Sequence, residues 1–264
     1  NNATHICYIH SPMRYCWGFM DEYLKSINPI FRPLAKFFFN RLKIWDKSTV
    51  ENVDIYVANS KNVQERVNRY YDRSAIVIYP PIDSGLFQNK LPTNSKRTHY
   101  LSFGAITPYK KIDLLIESFN KNGEKLVVIG DGSERKRLEL KAKSNILFKG
   151  FIQDDELLIY IQQSKALLFP GEEDFGMIPL EVMSQGIPVI AFAKGGALET
   201  VVENLEKIEE SSGIFFKEQT EKSLQDSLEL FKSIENKFDS QWIRNHAKKF
   251  EEKEFLRSFE KLFE

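Results

Sequence analysis

Apolar positions in this chain fall into two patterns: short runs, and longer stretches in which they return every three or four residues. The runs read as strands and the spaced stretches as amphipathic helices. Strands are expected at 4–9, Val53 to Ala58, Ala75 to Tyr79, His99 to Phe103, Lys125 to Ile129, Ile146 to Lys149, Ala166 to Phe169, Ile187 to Phe192 and Gly213 to Phe216. Helices are expected between them. Residues 19–50 read as helical with breaks at Asn28-Pro29 and near Pro33, and Asn59-Ser60 caps a helix through about Tyr70. Ile112 to Asn120, a basic segment from Glu134, Asp154 to Ser164 and a segment from about Leu198 are further helices, and the chain after Phe216 is helical. Asp154-Asp155 reads as a cap. Strands alternating with helices imply an α/β fold with parallel sheets covered on both faces. Two such layers are expected, at 1–90 and 97–235, joined by a polar linker at 84–97.

Composition narrows the class only a little. The chain has 264 residues, 42% hydrophobic and 28% charged, with a formal net charge of +0. That balance is ordinary for a globular protein and gives no ground for a nucleic-acid partner. Cys7 and Cys16 have no metal or disulfide spacing, so a reducing, cytoplasmic setting is the default. No run approaches the roughly 18 apolar residues of a membrane span. The chain starts Asn-Asn and enters a strand almost at once, which reads as a truncated start.

The segment richest in chemistry is Glu173-Asp174-Phe175-Gly176-Met177-Ile178-Pro179-Leu180-Glu181, two acids eight positions apart. It follows a strand and opens a helix, so it lies at the carboxyl end of a parallel strand, where open α/β sheets bind ligands. Pro179 suits a first helical turn, and Gly176 permits close backbone approach. Free N–H groups of Met177, Ile178 and Leu180 would favour an anion such as phosphate. Glu173 falls in the loop and Glu181 in the expected first turn. The plain alternative is a solvated loop acid and an acid that complements the helix dipole.

Other features are weaker. Lys110 and Lys111 follow the loop after the His99–Phe103 strand, on the same expected edge, and a lysine there can neutralise a diphosphate as a point charge. Gly130-x-Gly132 lacks the third glycine of a dinucleotide fingerprint, since position 135 is arginine; a tight turn is the better account. Gly195-Gly196 is either a phosphate approach or a plain turn. His10 ends the first strand without a partner by spacing, and no cluster has metal-ligand spacing, so no metal is expected. The basic, aromatic segment 31–45 either lies on an anionic membrane or packs its aromatics on the first sheet.

Glu173 to Glu181 resembles the E-x7-E signature of retaining family 4 glycosyltransferases, which have the GT-B fold of two Rossmann-like domains facing a cleft. Longer stretches agree: His5 to Tyr15, Val57 to Ser60, Ile78 to Asp83, Gly104 to Asp113, Val128 to Gly132, Glu172 to Glu181 and Gly195 to Val201. Together they resemble the branch of mannosyltransferases that builds bacterial surface polysaccharides. The resemblance runs from about residue 4 to about 235 and implies retaining, metal-independent transfer of a sugar, with GDP-mannose the expected donor and a glycan or lipid-linked glycan the acceptor. It implies an N-terminal domain, here partial and joined by a C-terminal helix at about 240–264, and a donor-binding domain at 97–235.

Roles carry over position by position. Glu173 and the backbone of Phe175, Gly176, Met177 and Ile178 would hold the donor sugar, Glu181 the ribose and Lys110 the diphosphate. His10 would reach the donor from the first domain, and Gly150 and Phe151 would contact the base. Gly104, Gly195 and Gly196 would line the donor pocket. The family usually has an arginine directly after the glycine of the phosphate loop. Here Ala105 stands there, and Lys111 is expected to supply the second charge. Two alternatives remain: a nucleotide-sugar-binding module without full catalysis, or another GT-B enzyme such as a nucleotide-sugar epimerase. Peripheral contact with the inner face of the cell membrane is expected through 31–45 if that segment is not a core element.

Overall fold

A computed structural model describes residues 3–91 and 97–263. The chain divides into two compact units, Asn1–Pro80 and Pro81–Glu264.

The first unit runs β1 (Ile6–Ile9), α1 (Met20–Ser26), a 3-10 turn at Pro29–Phe31, α2 (Arg32–Thr49), a second 3-10 turn at Val50–Asn52, β2 (Ile55–Ala58), α3 (Lys61–Tyr71) and β3 (Ala75–Val77). Its strands form a parallel sheet in the order β1-β2-β3, with Ile6 opposite Ile55 and Tyr56 opposite Ala75. Ser60 caps α3 as expected, its hydroxyl accepting from the Val63 N–H. Pro33 is not a break. It sits in the first turn of α2, where its missing N–H has no intrahelical acceptor to lose. Val63, Val67 and Tyr71 on α3 pack with Tyr56, Ala58 and Trp17 to form the core. Of the aromatics in 31–45, Phe31, Phe37, Phe38 and Trp45 are exposed, so this segment does not pack its aromatics on the sheet as a set.

The second unit runs β4 (His99–Phe103), α4 (Ile112–Asn122), β5 (Leu126–Ile129), α5 (Arg135–Glu139), β6 (Ile146–Gly150), α6 (Asp154–Gln162), β7 (Ser164–Phe169), α7 (Met177–Ser184), β8 (Val189–Phe192), α8 (Ala197–Thr200), β9 (Gly213–Phe216), α9 (Glu221–Ile234), α10 (Ser240–Ala247) and α11 (Glu252–Glu260). All six strands are parallel, in the order β6-β5-β4-β7-β8-β9. Counted from β4, this is the 3-2-1-4-5-6 order of doubly wound nucleotide-binding sheets. The order reverses between β4 and β7, so the loops leaving these two strands diverge and open a crevice at their carboxyl ends. Tyr100, Leu115, Phe119, Val128, Leu168 and Phe231 are among the side chains that fill the core beside the sheet.

Three expectations change. The polar segment 84–97 is not a free linker. Its residues 92–96 lie outside the described ones, but Arg244 donates to the Phe87 and Asn89 carbonyls and Gln185 donates to the Leu86 carbonyl at 2.8 Å, tying 84–91 to the second unit. The division accordingly falls at Pro80. The C-terminal helices also group with the second unit: α10 packs on α7, and Arg97 donates to the Ser240 hydroxyl at 2.9 Å. Asp154 and Asp155 do not cap α6. Gln153 is the cap residue, and both acids lie inside the first turn, where they complement the helix dipole.

Candidate active site

The crevice between β4 and β7 collects most of the expected site residues. The loop after β4 carries Gly104, Lys110 and Lys111, and the loop after β7 carries Glu173, Phe175 and Gly176. The Lys110 ammonium donates to the Glu173 carboxylate across the crevice. Both side chains are part-buried, which strengthens the pair relative to one in open water. Lys110 also lies 5.4 Å from the centre of the Tyr109 ring. Lys111, at φ 56°, turns the chain into α4 in the left-handed region that few non-glycine residues occupy. Such strained positions cluster at functional sites. A narrow cavity of about 20 Å³, roughly one water's room, runs beneath this loop between the ends of β4, β5 and β7 and is lined by Gly104, Ala105, Lys110, Phe169 and Gly171.

The β7 loop is held in place from several sides. A Cβ on Gly196 would lie 2.2 Å from the Phe175 Cα, and one on Gly195 would lie 2.4 Å from the Glu173 carbonyl oxygen. The Gly196 N–H donates to that carbonyl at 2.8 Å. Gly195-Gly196 is therefore explained by the close passage of two backbones rather than by a bare turn. The Lys194 ammonium pairs with Glu172 at 2.9 Å, and Gln219 donates to the Pro170 carbonyl at 2.8 Å. These supports, together with Gly171, whose added Cβ would stand 3.0 Å from the Lys110 Cα, were not singled out in the sequence.

Gly176 caps α7 with φ 90° and supplies no side-chain acceptor, so the first-turn amides of Met177, Ile178 and Leu180 have none from the cap. The Phe175 ring is buried and 5.9 Å from Phe250, leaving only its backbone for a ligand. Glu181 lies beyond the first turn of α7, not within it. The helix-dipole account of this acid therefore loses its basis, because the effect fades beyond that turn. Among the described residues the Glu181 carboxylate has no hydrogen-bond or ion-pair partner. Burial, and then the Asp154 charge, raise its pKa above the ordinary value. Asp154 is thus a neighbour of Glu181 that sequence spacing did not reveal.

Gly150 and Phe151 lie at the end of β6, on the same edge but two strands from β4. Phe151 is 79% exposed, an open aromatic face beside the Arg135 guanidinium that fills the space over Gly150. Gly130, at φ 125°, has no room for a side chain: its Cβ would fall 2.0 Å from the Gly104 carbonyl oxygen, so this glycine serves backbone packing. His10 belongs to the first unit, exposed after β1, with its ring edge-on to Tyr8 at 5.3 Å. Among the described residues no group of three or more His, Cys, Asp or Glu side chains could hold a metal ion.

Lys110 and Glu173 meet at the switch point of the six-stranded sheet, beside the start of α7, where open α/β sheets generally bind their ligands. Residues 83–249 match the family of glycosyl transferases group 1. The chain belongs to that family. The match lies within the second unit and includes every site residue named above except His10. This group 1 glycosyltransferase is 27% identical over 243 residues to the alpha-1,3/1,6-mannosyltransferase ALG2 of Kluyveromyces lactis, covering 72% of this chain and 47% of that protein. It is 24% identical over 160 residues to the O-antigen chain mannosyltransferase C of Escherichia coli, covering 53% of this chain and 42% of that protein. The chain thus spans about half the length of these curated relatives. Its structure aligns with Anabaena Alr3699/HepE in complex with UDP and glucose at a TM-score of 0.74 and 16% identity, over 98% of this chain and 71% of that one. The fold of this glycosyltransferase is therefore that of the GT-B enzymes.

Proposed function

We propose that this group 1 glycosyltransferase moves mannose from GDP-mannose to a glycan or lipid-linked glycan, with retention at the anomeric carbon and without a metal ion. The observation that carries the reading is the joining of Lys110 and Glu173 across the β4–β7 crevice, with the Glu181 carboxylate on the following helix. Similarity to two mannosyltransferases supports the sugar.

In this reading the bond from the anomeric carbon to the diphosphate breaks, and charge grows on the leaving oxygen. Lys110, helped by Lys111 and the first-turn amides of α7, neutralises that charge, the kind of stabilisation that dominates such reactions. Glu173 exchanges its contact with Lys110 for hydroxyls of the donor sugar. Glu181 accepts hydrogen bonds from the ribose, which replace the solvation lost on burial. Phe151 offers a face to the base, Gly150 its backbone, and Gly104, Gly195 and Gly196 shape the pocket by keeping its loops close. The acceptor's hydroxyl oxygen bonds to the anomeric carbon on the face that the diphosphate leaves, and the departing diphosphate takes its proton.

A panel of nucleotide sugars tested by thermal shift with the full-length protein checks this. GDP-mannose is expected to raise the melting temperature most, because a ligand stabilises by its occupancy of the folded state. A shift with no nucleotide sugar, or one confined to another base and sugar, would overturn the donor assignment. Binding of GDP-mannose without turnover would favour the non-catalytic module, a reading that Ala105 in the phosphate loop also fits.

A further inference from the structure

Helix α10 buries a histidine to which the donor site gives no role. Trp242, His246 and Phe250 stand four residues apart, so their rings follow one another along α10 and the 3-10 turn Lys248–Phe250 after it. The His246 ring stacks on that of Trp242 at 5.6 Å with 5° between the planes, and meets Phe250 edge-on at 6.0 Å. His246 is only 8% exposed. Its Nε2 lies 2.8 Å from the Thr200 carbonyl oxygen. A carbonyl only accepts, so Nε2 carries the proton and donates it, and Nδ1 is the bare nitrogen. Nδ1 is buried and has no hydrogen-bond partner among the described residues. Burial pushes the pKa of His246 below the ordinary histidine value, against the pull of the Thr200 bond, so the ring is neutral at neutral pH. Phenylalanine would stack in the same place; what the histidine adds is the bond to Thr200.

Two routes lead from this ring to the β7 loop. The first is a series of hydrogen bonds through α8. Thr200, whose carbonyl accepts from His246, donates its N–H at 3.2 Å and its hydroxyl at 3.3 Å to the Gly196 carbonyl. The Gly196 N–H donates in turn to the Glu173 carbonyl at 2.8 Å. The second route is aromatic. Phe250 lies 5.9 Å from Phe175, and its carbonyl accepts from the Ile82 N–H at 2.9 Å, which ties down the turn that carries it. The routes end two residues apart, on Glu173 and Phe175, in the segment that the proposed function gives to the donor sugar.

We propose that His246 is a positioning residue for the donor site, fixing residues 173–175 through Thr200 and Gly196 by one route and through Phe250 by the other. It acts through those residues rather than on the donor itself. The consequence for the donor rests on the function proposed above; the link from His246 to the loop does not.

Two variants separate the routes. His246→Phe keeps the ring contacts and removes the N–H, leaving the Thr200 carbonyl without its donor. His246→Gln returns an N–H at a similar reach from the backbone. Hydrogen–deuterium exchange of the full-length protein without ligand reads the loop directly. In His246→Phe the amides of 171–178 and 195–201 are expected to exchange at least about fivefold faster than in the wild type, the factor that one lost hydrogen bond gives. Those of β5 and β6 should keep their rates, and His246→Gln should exchange more slowly than His246→Phe. In turnover, His246→Phe should raise the donor KM by at least about fivefold with kcat within about twofold, the pattern of lost ground-state binding. Unchanged exchange in the two segments, faster exchange across the whole unit, or no slowing in His246→Gln would overturn the proposal. So would a donor KM that holds while the melting temperature falls, the mark of a residue that only stabilises the fold. The exchange measurement needs no ligand, so it decides the link from His246 to the loop even where the wild type turns over no nucleotide sugar, a result that would instead overturn the donor site.

Discussion

Lys110 and Glu173 hold each other across the crevice, and in the proposed reading this pair keeps the lysine where the charge of the leaving group would develop. Preorganised charge costs no rearrangement during the reaction, which is why such groups contribute strongly to rate. Glu181 presents the opposite situation, a part-buried carboxylate with a raised pKa. A carboxyl raised in the folded state stabilises the protein when protonated. Its contribution is present below the unfolded pKa and is lost as pH rises through the folded one. Glu181→Gln is therefore expected to raise the melting temperature of the ligand-free protein at neutral pH, with the gain shrinking as pH falls. The same change should weaken nucleotide-sugar binding by about tenfold, the loss of one charged hydrogen-bond acceptor. Thermal unfolding across pH and calorimetric titration read the two effects. A variant with unchanged melting and unchanged affinity would remove Glu181 from the site.

At the scale of elements, the site depends on how closely the β7 and β8 loops pass. Gly196 has an ordinary helical φ of −64°, so its need for glycine is purely steric. Gly196→Ala would push a methyl into the Phe175 backbone, at a cost of about 1–3 kcal/mol by the usual penalty for overpacking. It should also weaken donor binding, because the displaced segment carries Glu173. Melting temperature and nucleotide-sugar affinity are expected to fall together, and a drop in stability alone would show that the loop does not serve the ligand. The sequence disclosed these elements to differing degrees. Every strand expected from the apolar runs is present; in the six-stranded sheet the reason is that a parallel strand covered on both faces must be largely apolar along its length. The start of α7 was legible from Gly176 and Pro179, yet Glu181 falls a turn later than expected, because the helix begins at Met177 rather than at the proline. The contacts of Lys194 with Glu172 and of Gln219 with Pro170 join residues 22 to 49 positions apart, and local pattern carries no information about such pairs.

For the molecule as a whole, the division at Pro80 separates a three-stranded sheet from a six-stranded one. The expected linker at 84–97 was misplaced because its polar composition hid the anchoring of 84–91 by Arg244 and Gln185. The same tertiary contacts explain why the C-terminal helices group with the second unit. A compact unit with its own core is expected to fold alone. Pro81–Glu264 produced by itself should unfold in one cooperative step and retain binding of a nucleotide diphosphate. A broad, non-cooperative melt would show that its core is incomplete. The central claim is that the β4–β7 crevice is a donor site whose diphosphate charge is met by Lys110. Its most direct test is sugar release or transfer from GDP-mannose by the full-length protein, compared with its Lys110→Ala variant. The expected result is turnover by the wild type and a loss of at least about tenfold in kcat/KM in the variant, from removal of one contact to a developing anion. Equal turnover by the two proteins would contradict it.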